Sequence, residues 1–251
     1  RAYTSQPVPA NTAELLVAAA QSASTSSNMQ TWSVVAVTDP GRKDRLAKIA
    51  NNQEFVRACP LFLVWVADLA RLKALGNDRQ KPHESLNYLE MLLVGAIDSA
   101  LAAQNAAVAA ESLNLGMVYI GAIRNDPLAV AKELNLPPMS FATFGMCIGY
   151  AEPTLTTAVK PRLPQSVVLH TERYDASKED ALRAADAPDL VNAGQMRGDP
   201  ACEGIRATGS KRDDDAHRSR RVREAVDAGV ADDLQVVAAR QQRDHRVEVA
   251  H

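Results

Sequence analysis

Residues 86–113 read LNYLEMLLVGAIDSALAAQNAAVAAESL, and small or aliphatic side chains occupy nearly every position between Glu90, Asp98, Gln104, Asn105 and Glu111. A helix that is apolar on all sides belongs inside a fold, so this stretch is expected to form a long central helix buried all round. Residues 91–110 also have the length of a membrane span. Asp98, Gln104 and Asn105 would then sit near mid-bilayer at a cost of several kcal/mol, which argues against it. Gly95, Ser99, Ala102, Ala103 and Ala106 allow a close neighbour, within a subunit or across a dimer.

Upstream of the central helix, residues 12–20 favour a first helix, with Asn11 or Thr12 at its cap. The polar residues 21–28 interrupt it. The β-branched run at residues 33–38 reads as a buried strand, and Asp39, Pro40 and Gly41 turn it into a helix over residues 42–50. Residues 61–67 form a second buried strand. Downstream, Gly116 is placed to stop the central helix, and residues 117–120 follow as a strand. Asp126 and Pro127 open a helix that ends near Leu134. Residues 141–150 form an apolar strand containing Gly145 and Gly149. Alternating strands and helices imply a layered domain with both element types in one core.

Composition divides the chain. All eleven aromatic residues lie at or before Tyr174; 15 Lys and Arg with 14 Asp and Glu occur up to that point, and 13 and 16 in the shorter remainder. The expected organisation is therefore a folded domain over residues 1–174 and a charged, aromatic-free tail over 175–251, solvated or partly disordered. Arg218, Arg220, Arg221 and Arg223 offer a nucleic acid a row of cations, which Asp213, Asp214 and Asp215 counter. With a net charge of -2, neither nucleic acid nor an anionic membrane is an expected partner. Cys59, Cys147 and Cys202 are odd in number and lack CxxC spacing, so neither a disulfide framework nor a zinc site is expected. A cytoplasmic setting fits these cysteines. Arg1 leads into a polar, proline-containing segment without an initiating methionine, so part of the polypeptide is expected to precede it.

The candidate chemistry lies in loops. Lys160, Pro161 and Arg162 place two cations on a proline-stiffened backbone, a grip suited to phosphate. Ser24, Thr25, Ser26, Ser27 and Asn28 supply small hydrogen-bonding groups, which equally serve to cap nearby backbone. Gln53 can both donate and accept at the edge of a heterocycle. Tyr119, Ile120, Gly121 and Ala122 put a residue without a side chain just after a strand, where backbone can approach a flat ring. No Ser/His/Asp set, HExxH, P-loop or GxGxxG is present, and His83 and His170 are isolated. Cys59 and Cys147 read as core thiols. An enzyme of this composition would rely on a bound cofactor for its chemistry.

Six blocks in order resemble the oxygen-insensitive NADPH nitroreductase and FMN reductase family, and in particular its major NADPH-dependent branch. They are RAYT from Arg1, SASTSSNMQ from Ser22, NNQEFV from Asn51, AIDSALAAQNAAVAAESLNLGMVYIGAIRN from Ala96, FGMCIGY from Phe144 and KPRLPQSVVLH from Lys160. The resemblance implies an α+β fold with a central mixed β-sheet flanked by helices, in a domain-sharing homodimer that binds FMN at each of two interfaces. Lys160 and Arg162, with Pro161 between them, would hold the FMN phosphate. Arg1 would match the last arginine of a block facing the flavin, and Gln53 would meet the pyrimidine edge. Ser26 and Ser27 would come from the partner chain, and Tyr119, Ile120, Gly121 and Ala122 would line the ring.

The implied activity is ping-pong. NADPH passes hydride to flavin N5, and a nitroaromatic, a quinone or free flavin then takes two electrons. A fragment of the family's loop for the NADPH 2'-phosphate is matched by Arg206, Gly209, Ser210, Lys211 and Arg212. The chain departs from the family in lacking the rest of the arginine block and in its aromatic-free tail. Two rival readings remain open from the sequence: a flavin-binding protein without turnover, and a nucleic-acid adaptor acting through the arginine-rich tail.

Overall fold

The structure is a computed structural model that describes residues 2–154 and 162–178. The chain divides into two units at Glu152 and Pro153. The described part of the first unit, residues 2–152, contains α1 (Thr12–Ala20), β1 (Trp32–Val37), α2 (Pro40–Ile49), α3 (Glu54–Ala58), β2 (Leu61–Asp68), α4 (Ala70–Asp78), α5 (Leu89–Ser112), β3 (Gly116–Ile120), α6 (Pro127–Leu134) and β4 (Ser140–Gly149). In the second unit the short α7 (Gln165–Val168) precedes His170 and Tyr174, whose rings stack with centroids 4.2 Å apart. Residues 179–251, and with them the expected tail, lie outside the described residues.

Among the described residues four strands form one sheet in the order β1-β2-β4-β3. The sequence reading expected a mixed sheet, but every described pairing is antiparallel. β2 and β4 are the inner strands, and the β2 run LFLVWVA is buried on both sides because helices cover both faces of the sheet. On one face Leu61, Leu63, Trp65, Met146 and Ile148 pack against Leu16 of α1 and against Ala102, Ala103 and Ala106 of α5. On the other, Phe62, Val64, Ala142 and Cys147 pack against Leu46 of α2, Val56 of α3 and Val130 of α6. The result is a three-layer α+β domain.

Close approaches decide how these layers fit. A Cβ on Gly95 would stand 2.9 Å from Ala67 Cβ, so the absence of a side chain lets α5 lie directly on β2. A Cβ on Gly145 would stand 2.2 Å from Phe62 Cζ; the Phe62 ring fills the space that a side chain would need. At Gly149 the same test meets Pro60 at 2.5 Å and Tyr3 at 2.9 Å. Tyr3 pairs with Ala151 in an isolated bridge, and its hydroxyl donates to the Cys147 carbonyl at 3.1 Å. The start of the chain is thereby pinned beside β4.

Helix ends follow local chemistry. Asp39 accepts a bond from the Arg42 amide at 2.7 Å, so α2 begins at Pro40, two residues earlier than expected. Asp126 caps α6 in the same way through the Ala129 amide. The stop of α5 is not Gly116, as expected. Asn114 takes the left-handed conformation with φ 59°, and Gly116 already belongs to β3. The larger correction concerns α5 itself, which is not buried all round. Leu89, Leu93, Ile97, Leu101 and Val108 are 46–57% exposed and form a stripe along the side away from the sheet. Hydropathy alone treats such a stripe and the packed face alike.

Candidate functional site

Gln53 sits at the N-cap of α3 behind two left-handed residues, Asn51 with φ 62° and Asn52 with φ 56°. Side chains brace this turn. Arg57 donates to Asn52 Oδ1 at 3.0 Å and to Asp44 at 2.7 Å, so the guanidinium ties the start of α3 to α2. Lys48 first and Arg57 second hold the Asp44 carboxyl below the usual carboxylate range. Lys43, itself buried, donates to the Arg57 and Cys59 carbonyls at 3.1 and 2.5 Å, which closes the far end of the helix.

Within that rigid frame the Gln53 side-chain carbonyl oxygen is buried and has no hydrogen-bond partner. A buried acceptor without a donor costs roughly 1–3 kcal/mol, so its retention points to a donor supplied by a ligand. Among the described residues the other such atom is the Trp65 indole nitrogen, which lies in the middle of the core against the Trp32 ring at 5.6 Å.

The loop after β3 is anchored just as firmly. Ile120 ends the strand with 2% exposure, and a 3₁₀ turn runs over Gly121–Asn125. β4 carries an irregularity where its pairing with β2 shifts between Trp65 and Val66, leaving Thr143 as the extra residue. The Thr143 hydroxyl donates to the Trp65 carbonyl at 2.9 Å, and the Arg124 guanidinium donates to the Thr143 carbonyl. Arg124 thus ties the turn to the bulge, and its NH2 group lies 3.3 Å from where a Gly121 Cβ would stand. Ala122 is partly buried in the same loop, and Ile123 fully so. Tyr119 is 40% exposed and donates from its hydroxyl to Gln104 at 3.3 Å. Burial first, and Glu111 second, raise the Tyr119 pKa, so its phenol stays neutral and keeps its proton for that bond.

Ser26 and Ser27 occupy a short 3₁₀ turn in which Ser27 has φ 48°. Asn28 and Gln30 are left-handed as well, with φ 55° and 52°. Such a loop persists only where its surroundings over-determine it. Asp98, in the middle of α5, is 1% exposed and accepts from the Ser26 amide at 3.0 Å, the Thr31 amide at 3.1 Å and the Thr31 hydroxyl at 2.8 Å. Sequence reasoning used Asp98 only to argue against a membrane span and gave Arg124 no role. The available signal for Asp98 was a lone carboxylate in an apolar helix, which implies a buried set of donors.

Arg162 is exposed in the second unit. Arg1, Lys160, Pro161, Arg206, Lys211 and Arg212 lie outside the described residues. Cys59 and Cys147 are free and fully buried, and burial pushes the Cys147 thiol up, in keeping with inert core thiols.

A three-layer fold of this topology is that of the nitroreductases. Residues 1–150 match the Nitroreductase family, and the chain belongs to that family. It is 40% identical to the FMN reductase (NADPH) of Bacillus subtilis over 181 residues, 72% of each chain. It is 38% identical to the oxygen-insensitive NADPH nitroreductase of Salmonella typhimurium over 74% of this chain and 75% of that one. Among solved structures, the NADPH:FMN oxidoreductase of Vibrio harveyi complexed with NAD+ superposes with a TM-score of 0.65 at 35% identity, covering 78% of this chain and 86% of that one.

Proposed function

We propose that the chain is an FMN-dependent oxidoreductase that draws hydride from NADPH and reduces nitroaromatics, quinones or free flavin. The observation that carries this reading is the buried, partnerless Gln53 oxygen at a braced helix start. An imide N–H at the pyrimidine edge of a flavin supplies the donor that this atom lacks. Bound FMN would supply the redox chemistry that carries two electrons from NADPH to an acceptor. The protein's part is to bind and orient. Gln53 fixes the pyrimidine edge; Ile120, Gly121 and Ala122, with Tyr119 beside them, offer a flat approach; Ser26 and Ser27 reach in from the partner chain. Lys160, Pro161 and Arg162 hold the phosphate, and Arg1 sets a cation at the N1 and O2 edge, where the reduced ring carries negative charge. Arg206, Lys211 and Arg212 receive the 2'-phosphate of NADPH.

The working unit in this reading is a homodimer. The exposed stripe of Leu89, Leu93, Ile97, Leu101 and Val108 on α5 supports a second copy as the occupant of that face, since each half-exposed aliphatic gains about 1 kcal/mol on full burial. The cytoplasm fits two free core thiols, and the folded domain extends over residues 1–174 with the charged segment beyond it.

Purified protein supplemented with FMN and freed of excess is expected to be yellow, absorbing near ~450 nm, and to bleach when NADPH is added without oxygen. Gln53→Leu is expected to weaken FMN binding about fivefold, as for the loss of one neutral hydrogen bond. Protein that stays colourless overturns the proposal. Flavin that binds but does not bleach leaves a carrier without turnover.

A further inference from the structure

We propose that Asp98 is a positioning residue for flavin binding: from the middle of α5 it holds the loop of Ser26 and Ser27 in the one conformation that can meet the cofactor. The inference rests on the reading that these serines touch FMN, and it adds what sets their geometry. The loop has reasons to relax. Ser27 and Gln30 take left-handed conformations that their side chains disfavour, with a left-handed Asn28 between them, and the residues from Ser26 to Asn28 make one short turn with few backbone bonds of its own. Its ends are braced separately. Asn105 donates to the Ser22 hydroxyl at 3.1 Å, and Arg71 reaches the Gln30 and Trp32 carbonyls at 3.4 Å.

At the centre stands Asp98. Its Oδ1 takes the Ser26 amide, and its Oδ2 takes both the amide and the hydroxyl of Thr31, which is 0% exposed. One carboxylate thus joins the two sides of the turn across 67 to 72 residues of sequence. All three partners donate and a carboxylate only accepts, so no neutral isostere can replace it. An asparagine has a single acceptor oxygen, and its NH2 would face an amide N–H. Asp98 and Asn105 are seven residues apart on one side of α5, so the helix carries both the entry brace and the central brace of the loop. Gly95, one turn before Asp98, brings α5 within 3.3 Å of the Thr31 carbonyl at the position where a Cβ would stand. That close approach lets a short aspartate reach the loop backbone.

The test uses the full chain, first without flavin and then titrated with FMN while flavin fluorescence is followed. Asp98→Asn is expected to weaken FMN binding roughly tenfold, because the competent loop becomes a minor population. The Ser26 and Thr31 amides should exchange with solvent faster in that variant, while those of α1 do not. Ser26→Ala and Ser27→Ala should weaken FMN by themselves, and adding either to Asp98→Asn should cost little more, because both changes act on one contact. Val130→Ala, in a buried position of α6, supplies a variant of lowered melting temperature with unchanged FMN affinity.

Should Asp98→Asn accelerate exchange at Ser26 and Thr31 yet bind FMN within about twofold of the parent, the proposal is overturned while the serine reading stands. Should neither serine variant weaken FMN, the serine reading itself fails, and the proposal with it. If Asp98→Asn does not fold, Thr31→Val takes its place. It removes only the hydroxyl bond and is expected to weaken FMN about threefold, and unchanged affinity in that variant counts against the proposal.

Discussion

Single atoms at Gly145 and Gln53 decide much of this molecule. At Gly145 the sequence shows only a glycine in an apolar strand, which suggests a bulge or a close approach without naming the neighbour. The neighbour is Phe62, whose ring terminus lies 2.2 Å from the position a Cβ would take, with Ile120 at 3.4 Å. Gly145→Ala is therefore expected to displace Phe62 and the strand end that carries Ile120, and to destabilise the fold by about 1–3 kcal/mol as overpacking does. Urea unfolding measures it, and a change below about 0.5 kcal/mol would mean that the ring moves aside freely. Gln53 was identifiable in sequence as a residue able to pair with a heterocycle, but its partnerless oxygen was not. Whether a side-chain amide finds a donor depends on residues brought near it by Lys43 and Asp44 of α2 and Arg57 of α3.

At the scale of elements, α2 and α6 are clasped across the surface. Arg45 donates to Glu133 through two nitrogens at 2.8 and 2.9 Å, and Arg42 adds a third bond at 3.2 Å. The Arg45 guanidinium foremost, with Arg42 assisting, holds the Glu133 carboxyl below its ordinary value. A carboxylate lowered on folding stabilises the protein above its unfolded pKa of about 4.3 and loses that contribution as pH falls through the folded value. Glu133→Gln should therefore melt slightly below the parent at pH 7. The gap should close progressively below about pH 4, and melting curves at the two ends check it. An equal gap at both would place the origin elsewhere. Element boundaries were largely legible: α1 spans Thr12–Ala20 as its pattern implied, and α6 starts at the Asp126 and Pro127 signal. α3, with five residues, is too short to show a periodicity, α4 has no buried residue and so no apolar face to read, and the stop of α5 fell to Asn114 because asparagine tolerates the left-handed region almost as glycine does.

For the whole molecule, the outward stripe of α5 has the larger consequence. Ile97 is 57% exposed at its centre, so Ile97→Glu leaves the monomer core untouched and places a charge where a second copy would pack. Sedimentation velocity is expected to show a dimer for the parent and a monomer for the variant, with FMN retention falling in parallel because the proposed site draws on both chains. A parent that sediments as a monomer would remove the partner from the proposed site.

The linear chain determined the family, the alternation of helices and strands and the residue types at the proposed site, because these depend on hydrophobic period, cap chemistry and short ordered blocks. Tertiary structure alone decided that the described strands pair antiparallel, that α5 shows one apolar side to solvent, and that Asp98 and Arg124 hold the loops of Ser26 and Gly121. Strand direction, exposure and long-range hydrogen bonds depend on which distant segments meet, and hydrophobic period records how much of an element is apolar without recording what lies against it.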